Sequence, residues 1–169
     1  CYKDNPHSLE AYDGAARMLI ELGDTKEAQK ILSKVSNISS RSYSRQRLLA
    51  EVCNMNGDFE GAADAFKKVV GLADQSFHKS SQNEIDYADN LTEAALHSND
   101  DEKTKEFAQK ALNQIKSTQS EYNDDNSTLQ NKLIESRAFS SINNKEESEK
   151  SLNEAEEKIK SGSGTLNIR

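Results

Sequence analysis

The chain has 169 residues, 34% hydrophobic, 6% aromatic and 30% charged, with no Trp and a formal net charge of −7. That is thin for a thick globular core but enough for a two-layer helical structure that buries one stripe per helix. The acidic balance and the absence of any Lys/Arg run argue against nucleic acid as a partner, and no apolar run approaches the roughly 20 residues of a membrane span.

The chain opens at Cys1 without a methionine or a visible signal peptide, and NPHS at 5–8 reads as a junction. We therefore expect a piece of a longer protein, with a domain missing upstream. The two cysteines, Cys1 and Cys53, fall at a frayed start and on an apolar helix face. No structural bridge is expected from them, and a reduced, cytoplasmic setting is the simpler reading.

The first predicted helix carries Leu9, Tyr12, Ala15, Ala16, Leu19 and Leu22 at a helical period. Gly23 then ends it, because glycine adopts the left-handed conformation that helix C-termini favour. Asp24 is placed to cap the next helix, and Glu27, three residues on, completes the pattern of a capping box. Ala28, Ile31, Leu32 and Val35 follow on one face. Two antiparallel helices joined by so tight a turn must pack closely, and Ala28 permits the approach.

The same unit then recurs. Gly57, Ala62, Phe66 and Val69 repeat the spacing of Gly23, Ala28, Leu32 and Val35 after 34 residues. Leu49, Ala50 and Cys53 likewise stand where Ala15, Ala16 and Leu19 stand one period earlier. Fixed-period similarity over a whole helix pair marks a repeat array. Asn99, Thr104, Ala108 and Ala111 form a third occurrence after Ala88, Leu91 and Ala95, with Asn99 expected in the left-handed turn position. Asn143, Ser148, Leu152 and Ala155 form a fourth, after Leu129, Leu133, Ile134, Ala138 and Phe139. The step from Gly57 to Asn99 is 42 residues, and its extra eight are expected in a longer connection at 72–84. SGSG at 161–164 opens a tail that reads as a flexible linker or a cloning remnant.

This helix–turn–helix of 34 residues resembles the tetratricopeptide repeat. Gly-Asp at 23–24 and 57–58 matches the family's turn between helices A and B. Ala28 and Ala62 match its small position, Leu32 and Phe66 its bulky one, and Tyr12 its first aromatic. Gln46 and Thr92 depart from the pattern, and the prolines that separate repeats are missing. The resemblance implies an all-α fold, an α-solenoid or right-handed superhelix of about four hairpins within a repeat domain at 6–160. The hairpins fall at about 8–40, 42–72, 84–118 and 125–160. The run 42–80 also resembles the repeat half of bacterial response regulators that carry a receiver domain ahead of their repeats. An output or regulatory domain is therefore the alternative reading.

No enzyme signature is legible. The carboxylates, Asp86, Asp89 and Glu93 or Glu146, Glu147 and Glu149, stand on regular amphipathic helices whose default is a solvated face. His7, His78 and His97 lack metal-ligand spacing, Cys53 has no Cys-His arrangement, and no glycine-rich phosphate loop is present. We expect no catalysis, cofactor or metal. What remains is surface. In the family, four positions of each helix A line a concave groove, and here they fall on Glu10, Asp13, Arg17 and Ile20 in the first unit. They fall on Ser44, Arg47, Glu51 and Asn54 in the second, and on Asp86, Asp89, Glu93 and Leu96 in the third. The first two faces mix charges and the third is acidic, so a partner segment is expected to bring basic residues there. The function implied is protein–protein binding as a scaffold or adaptor, with self-association as a rival. The polar last helix looks like a cap on the array, and replacing Leu152 and Ile159 by Glu should destabilise the array if that helix packs and change little if it is free tail.

Overall fold

Ser8 starts the first helix by taking the Ala11 N–H on its hydroxyl at 3.2 Å. In the computed structural model residues 8–76, 78–122 and 124–161 are described, and among them are eight helices and no strand. They are α1 (Leu9–Glu21), α2 (Thr25–Ile38), α3 (Tyr43–Met55), α4 (Phe59–Ala73), α5 (Ser81–His97), α6 (Asp101–Glu121), α7 (Asp125–Ser141) and α8 (Lys145–Lys160). Consecutive helices pair into hairpins, α1 with α2, α3 with α4, α5 with α6 and α7 with α8. Cys1, His7 and most of the expected tail lie outside the described residues.

Three of the four turns share one construction. Gly23, Gly57 and Asn143 take φ of 80°, 73° and 58°. At the first turn the Gly23 N–H bonds back to the Ile20 carbonyl at 3.0 Å, and the Asp24 N–H to the Leu19 carbonyl at 2.8 Å. That pair of bonds closes the last turn of α1. Asp24 then accepts the Glu27 N–H, so the residue that finishes one helix starts the next. Asp58 and Asn144 do the same, bonding back to Cys53 and Phe139 and accepting from Gly61 and Glu147. The reciprocal half of the expected capping box is not formed. The Asp24 N–H is already used by Leu19, and the Glu27 carboxylate turns to Lys30 at 3.3 Å.

The third turn is built differently, and the expectation for Asn99 is corrected. Ser98 is extended, with ψ 138°, and Asn99 does not take a positive φ. The Ser98 hydroxyl accepts the Asp100 N–H, while the Asp100 carboxylate accepts from both Glu102 and Lys103. A side-chain cap with two N–H donors here replaces the left-handed residue. The eight extra residues are also placed otherwise than expected. The connection at 74–80 takes three of them, α5 takes four and α4 takes one.

The chain divides into two units, Cys1–Lys79 and Ser80–Arg169. In the first, α1 packs on α2, α2 on α3 and α3 on α4. Tyr12, Ile31 and Val35 form a core cluster flanked by Leu9 and Leu19. Ala28 and Ala62 are fully buried at the helix crossings, as expected of the small position. A polar knot joins the hairpins: Asn56 Nδ2 donates to the Thr25 carbonyl at 3.0 Å and to Gln29 Oε1 at 2.7 Å. Gln29 Nε2 in turn reaches Asp58 at 2.5 Å. In the second unit α5 packs on α6 and α7 on α8, with α7 also resting on both α5 and α6. Ile85, Ala88, Ile115 and Ile134 form its core cluster.

The departures at Gln46 and Thr92 each make a hydrogen bond, although the buried Oε1 of Gln46 has no partner. Buried Gln46 donates to the Ser40 carbonyl at 3.3 Å, and the Thr92 hydroxyl to the Ala88 carbonyl at 3.0 Å. Leu152 is the exception among the repeated positions. Leu32 and Phe66 are buried, whereas Leu152 and Ile159 are each 43% exposed. α2 lies against two helices, α1 and α3, while α8 packs on α7 through Ser151 and Ala155. The last helix thus packs, with these two apolar side chains only partly covered.

The turns give a direct test. Gly23→Ala is expected to lower stability by about 1 kcal/mol, because a Cβ is disfavoured at positive φ. Asn143→Gly should raise it by up to about 1 kcal/mol, whereas Asn99→Gly should give no gain. Urea unfolding of the three variants measures this, and a gain at Asn99 matching that at Asn143 would contradict the turn assignment.

Candidate binding face

The positions marked as groove-lining lie on α1, α3 and α5, and each unit presents them separately. On the first unit Glu10, Arg17 and Ser44 are exposed, while Ile20 and Asn54 are half-buried. Glu10 accepts the Ser8 hydroxyl, and Arg47 pairs with Glu51 one turn along α3 at 3.4 Å. Asp13 is engaged structurally. Its carboxylate takes a bidentate fork from Arg45 of α3, Nε at 2.7 Å and Nη2 at 2.8 Å. Arg45 is only 5% exposed and also donates to the Ser39 carbonyl. The fork ties the first helix of one hairpin to the first helix of the next. Charge-assisted bidentate bonds of this kind hold both orientation and spacing.

The second unit repeats the device with different residues. Arg137 of α7 donates to Asp89 of α5 at 2.7 Å through Nη1, and to Glu93 through Nη2. Glu93 also faces His97, whose Nδ1 lies 3.4 Å from the carboxylate. Asp86 accepts Gln82 Nε2 at 2.7 Å, and Leu96 is exposed beside them. So Asp89 and Glu93 belong to an organised ion cluster rather than a plain solvated face.

Burial pushes the Asp89 carboxyl above its ordinary value. The Arg137 charge opposes that, and Glu93 adds to it. Burial alone would lower Arg137, but Asp89 and Glu93 outweigh it and hold the guanidinium above its ordinary value. Arg137 escaped the sequence reading because the groove positions were not carried onto the fourth hairpin. There the position of Glu51 falls on Arg137.

No protein-family model matches the chain, and no curated protein matches it. Solved structures do. MamA superposes with a TM-score of 0.66 at 15% identity, over 99% of this chain and 82% of MamA. A Podospora anserina kinesin light chain with nearly identical TPR-like repeats gives 0.65 at 16% identity, over 87% of this chain and 72% of its own. A thermophilic TPR protein from Thermus thermophilus gives 0.56 at 14% identity, over 88% and 73%. This chain has the tetratricopeptide-repeat fold. The resemblance of 42–80 to receiver-linked repeats gains no support from these structures.

Within that fold the other reactive side chains have structural surroundings. Cys53 is a buried free thiol whose pKa is pushed up to about 12 by burial and by neighbouring Asp58. At neutral pH such a thiol stays protonated. His78 stacks on Tyr43 with ring centroids 4.5 Å apart, a contact the sequence did not signal. Among the described residues no group of three or more His, Cys, Asp or Glu is placed to hold a metal. No helix among them is long and apolar enough to cross a membrane.

Two outcomes follow from the ion clusters. Asp13→Ala strands a buried guanidinium and should cost about 2–3 kcal/mol in urea unfolding. Adding Arg45→Met should recover much of that loss, and additive losses would contradict the pairing. In a carbon-detected NMR titration Asp89 should titrate above an ordinary aspartate, and Arg137→Gln should move it further up by removing the opposing charge. Because its folded-state value is raised, the Asp89 contribution to stability is present below the unfolded value and lost as pH rises through the folded one.

Proposed function

We propose that this chain is a non-catalytic protein–protein interaction module, a scaffold or adaptor that holds a partner segment on the faces of its first-of-pair helices. The observation that carries the reading is the arrangement of charge on those faces. Side chains that take no part in the hairpin cores are nevertheless held in place, by Arg45 on the first unit and by Arg137 on the second. A face ordered before binding avoids much of the entropy that a flexible one would lose.

The two faces suit different partners. Around α1 and α3 the charges of Glu10, Asp13, Arg17, Arg45, Arg47 and Glu51 balance. On α5 and α7 the carboxylates Asp89 and Glu93 share the guanidinium of Arg137, and Asp86 stands one turn before Asp89. By formal charge Asp86, Asp89, Glu93 and Arg137 together are acidic. This face favours a segment carrying Lys or Arg, with Leu96 as an apolar contact beside it. The superposition on tetratricopeptide-fold structures supports the class of function.

Panning a displayed random-peptide library on the immobilised chain tests the proposal. Selected peptides are expected to be basic, to shift amide signals of α5 and α7, and to lose affinity about tenfold in Asp86→Lys. Acidic selections, or binding indifferent to that change, would contradict it.

A further inference from the structure

The turn between α2 and α3 comes close to the last turns of α4, and an open hollow of about 570 Å³ lies between them. The stack of Tyr43 on His78 brings the start of α3 and the stretch after α4 together. Ser40 and Arg41 line the hollow from the turn. Lys68, Gly71, Leu72 and Gln75 line it from α4 and the residues just past it, spaced three or four apart along one helix stripe. All six belong to the first unit.

The charge around this hollow is of one sign. Arg41 and Lys68 are exposed, and among the described residues neither is paired with a carboxylate. No acidic side chain is among the described lining residues. Asp64, one turn before Lys68, does not line it, and Asp74 is taken by Lys79 at 3.5 Å. Arg45 and Arg47 of α3, by contrast, already hold carboxylates. In a chain of formal net charge −7, two cations stand unpaired at one place. The turn that carries Arg41 is also held still, because the Ser39 and Ser40 carbonyls accept from Arg45 and Gln46, each at 3.3 Å. Gly71 is the last feature. A Cβ there would meet nothing within 4 Å, and its φ is not left-handed. Neither close packing nor a turn requires glycine at that position, and glycine weakens a helix. Its effect is to leave the hollow open.

We propose that this hollow binds a phosphomonoester dianion carried on a segment of a partner protein. Such an ester carries about −1.5 to −2 charge near neutral pH, which Arg41 and Lys68 match. The Arg41 guanidinium suits two of the phosphate oxygens as a planar fork, and Lys68 supplies a point charge. The Ser40 hydroxyl and the Gln75 amide are neutral donors for what remains. Leu72 and the space over Gly71 receive the carbon chain that bears the ester, which a free ion lacks. A carboxylate brings a single charge and leaves one of the two cations unanswered. The start of α3 and the end of α4 present helix dipoles of opposite sign here, so the side chains set the preference. The site stands on a second-of-pair helix and a turn, separate from the first-of-pair faces assigned above to basic segments. It rests on the protein-binding reading for its carrier alone, and the experiment reads anion and carrier separately.

Amide chemical-shift mapping of the full chain at low salt tests this with three probes. They are a capped Gly-phosphoserine-Gly peptide, the same peptide with glutamate in place of phosphoserine, and inorganic phosphate. The phosphopeptide is expected to shift the amides of Ser40, Arg41, Gly71, Leu72 and Gln75. It should bind about tenfold more tightly than either of the other probes. Arg41→Gln with Lys68→Gln should weaken it about tenfold or more, with helicity unchanged because both positions are exposed. Gly71→Met should weaken it as much by filling the hollow, while raising the unfolding temperature, since its Cβ has open space and the helix gains propensity. The proposal is overturned if the shifts are absent or fall elsewhere, or if either variant binds the phosphopeptide as the wild type does. Equal binding of the two peptides would overturn the dianion, and equal binding of inorganic phosphate would overturn the carrier. None of these outcomes involves the α5 and α7 face, so failure here leaves the reading of that face standing.

Discussion

The structure depends on one local constraint, a residue that ends one helix and begins the next. Asp24, Asp58 and Asn144 each give their N–H to the helix behind and take an N–H from the helix ahead. A left-handed residue immediately before each makes the reversal fit. With no spare residue in the turn, the two helices of a hairpin are forced close together. Small side chains must then stand where they cross, as Ala28 and Ala62 do. The third hairpin reaches a similar path with Ser98 and a doubly accepting Asp100.

Once hairpins of this kind stack, long side chains on their first helices can meet across the stack within each unit. Both units use that proximity for an arginine–carboxylate contact, Arg45 with Asp13 and Arg137 with Asp89 and Glu93. The first is nearly buried and contributes mainly order, since its desolvation cost offsets much of its attraction. The second is half-exposed, with two carboxylates on one guanidinium. A residue such as Asp13, expected from the sequence to line a groove, is thus committed to the fold.

Much of the hairpin pattern was legible in the sequence because its determinants are local. Gly-Asp followed by alanine five residues after the glycine, repeated at 34, encodes the turn, the cap and the crossing in one short stretch. What was not legible depends on partners distant in sequence. Nothing local shows that Arg45 would reach back 32 residues to Asp13, or that His78 would fold onto Tyr43. Periodicity placed Leu152 on an apolar position, but it cannot say whether another helix covers that position. Asn99 misled for a related reason. Asparagine tolerates the left-handed conformation, yet Ser98 and Asp100 beside it offer hydrogen bonds that make it unnecessary.

Amide hydrogen exchange resolved by residue tests the shared turn most directly. The account predicts slow exchange at the N–H groups of Asp24, Asp58 and Asn144, comparable with neighbouring helix amides, because each is bonded to a carbonyl of the preceding helix. The Asp100 N–H, which has only the Ser98 hydroxyl, should exchange much faster. Fast exchange at all four would mean that the turns do not lock the hairpins, and would contradict the account at its base.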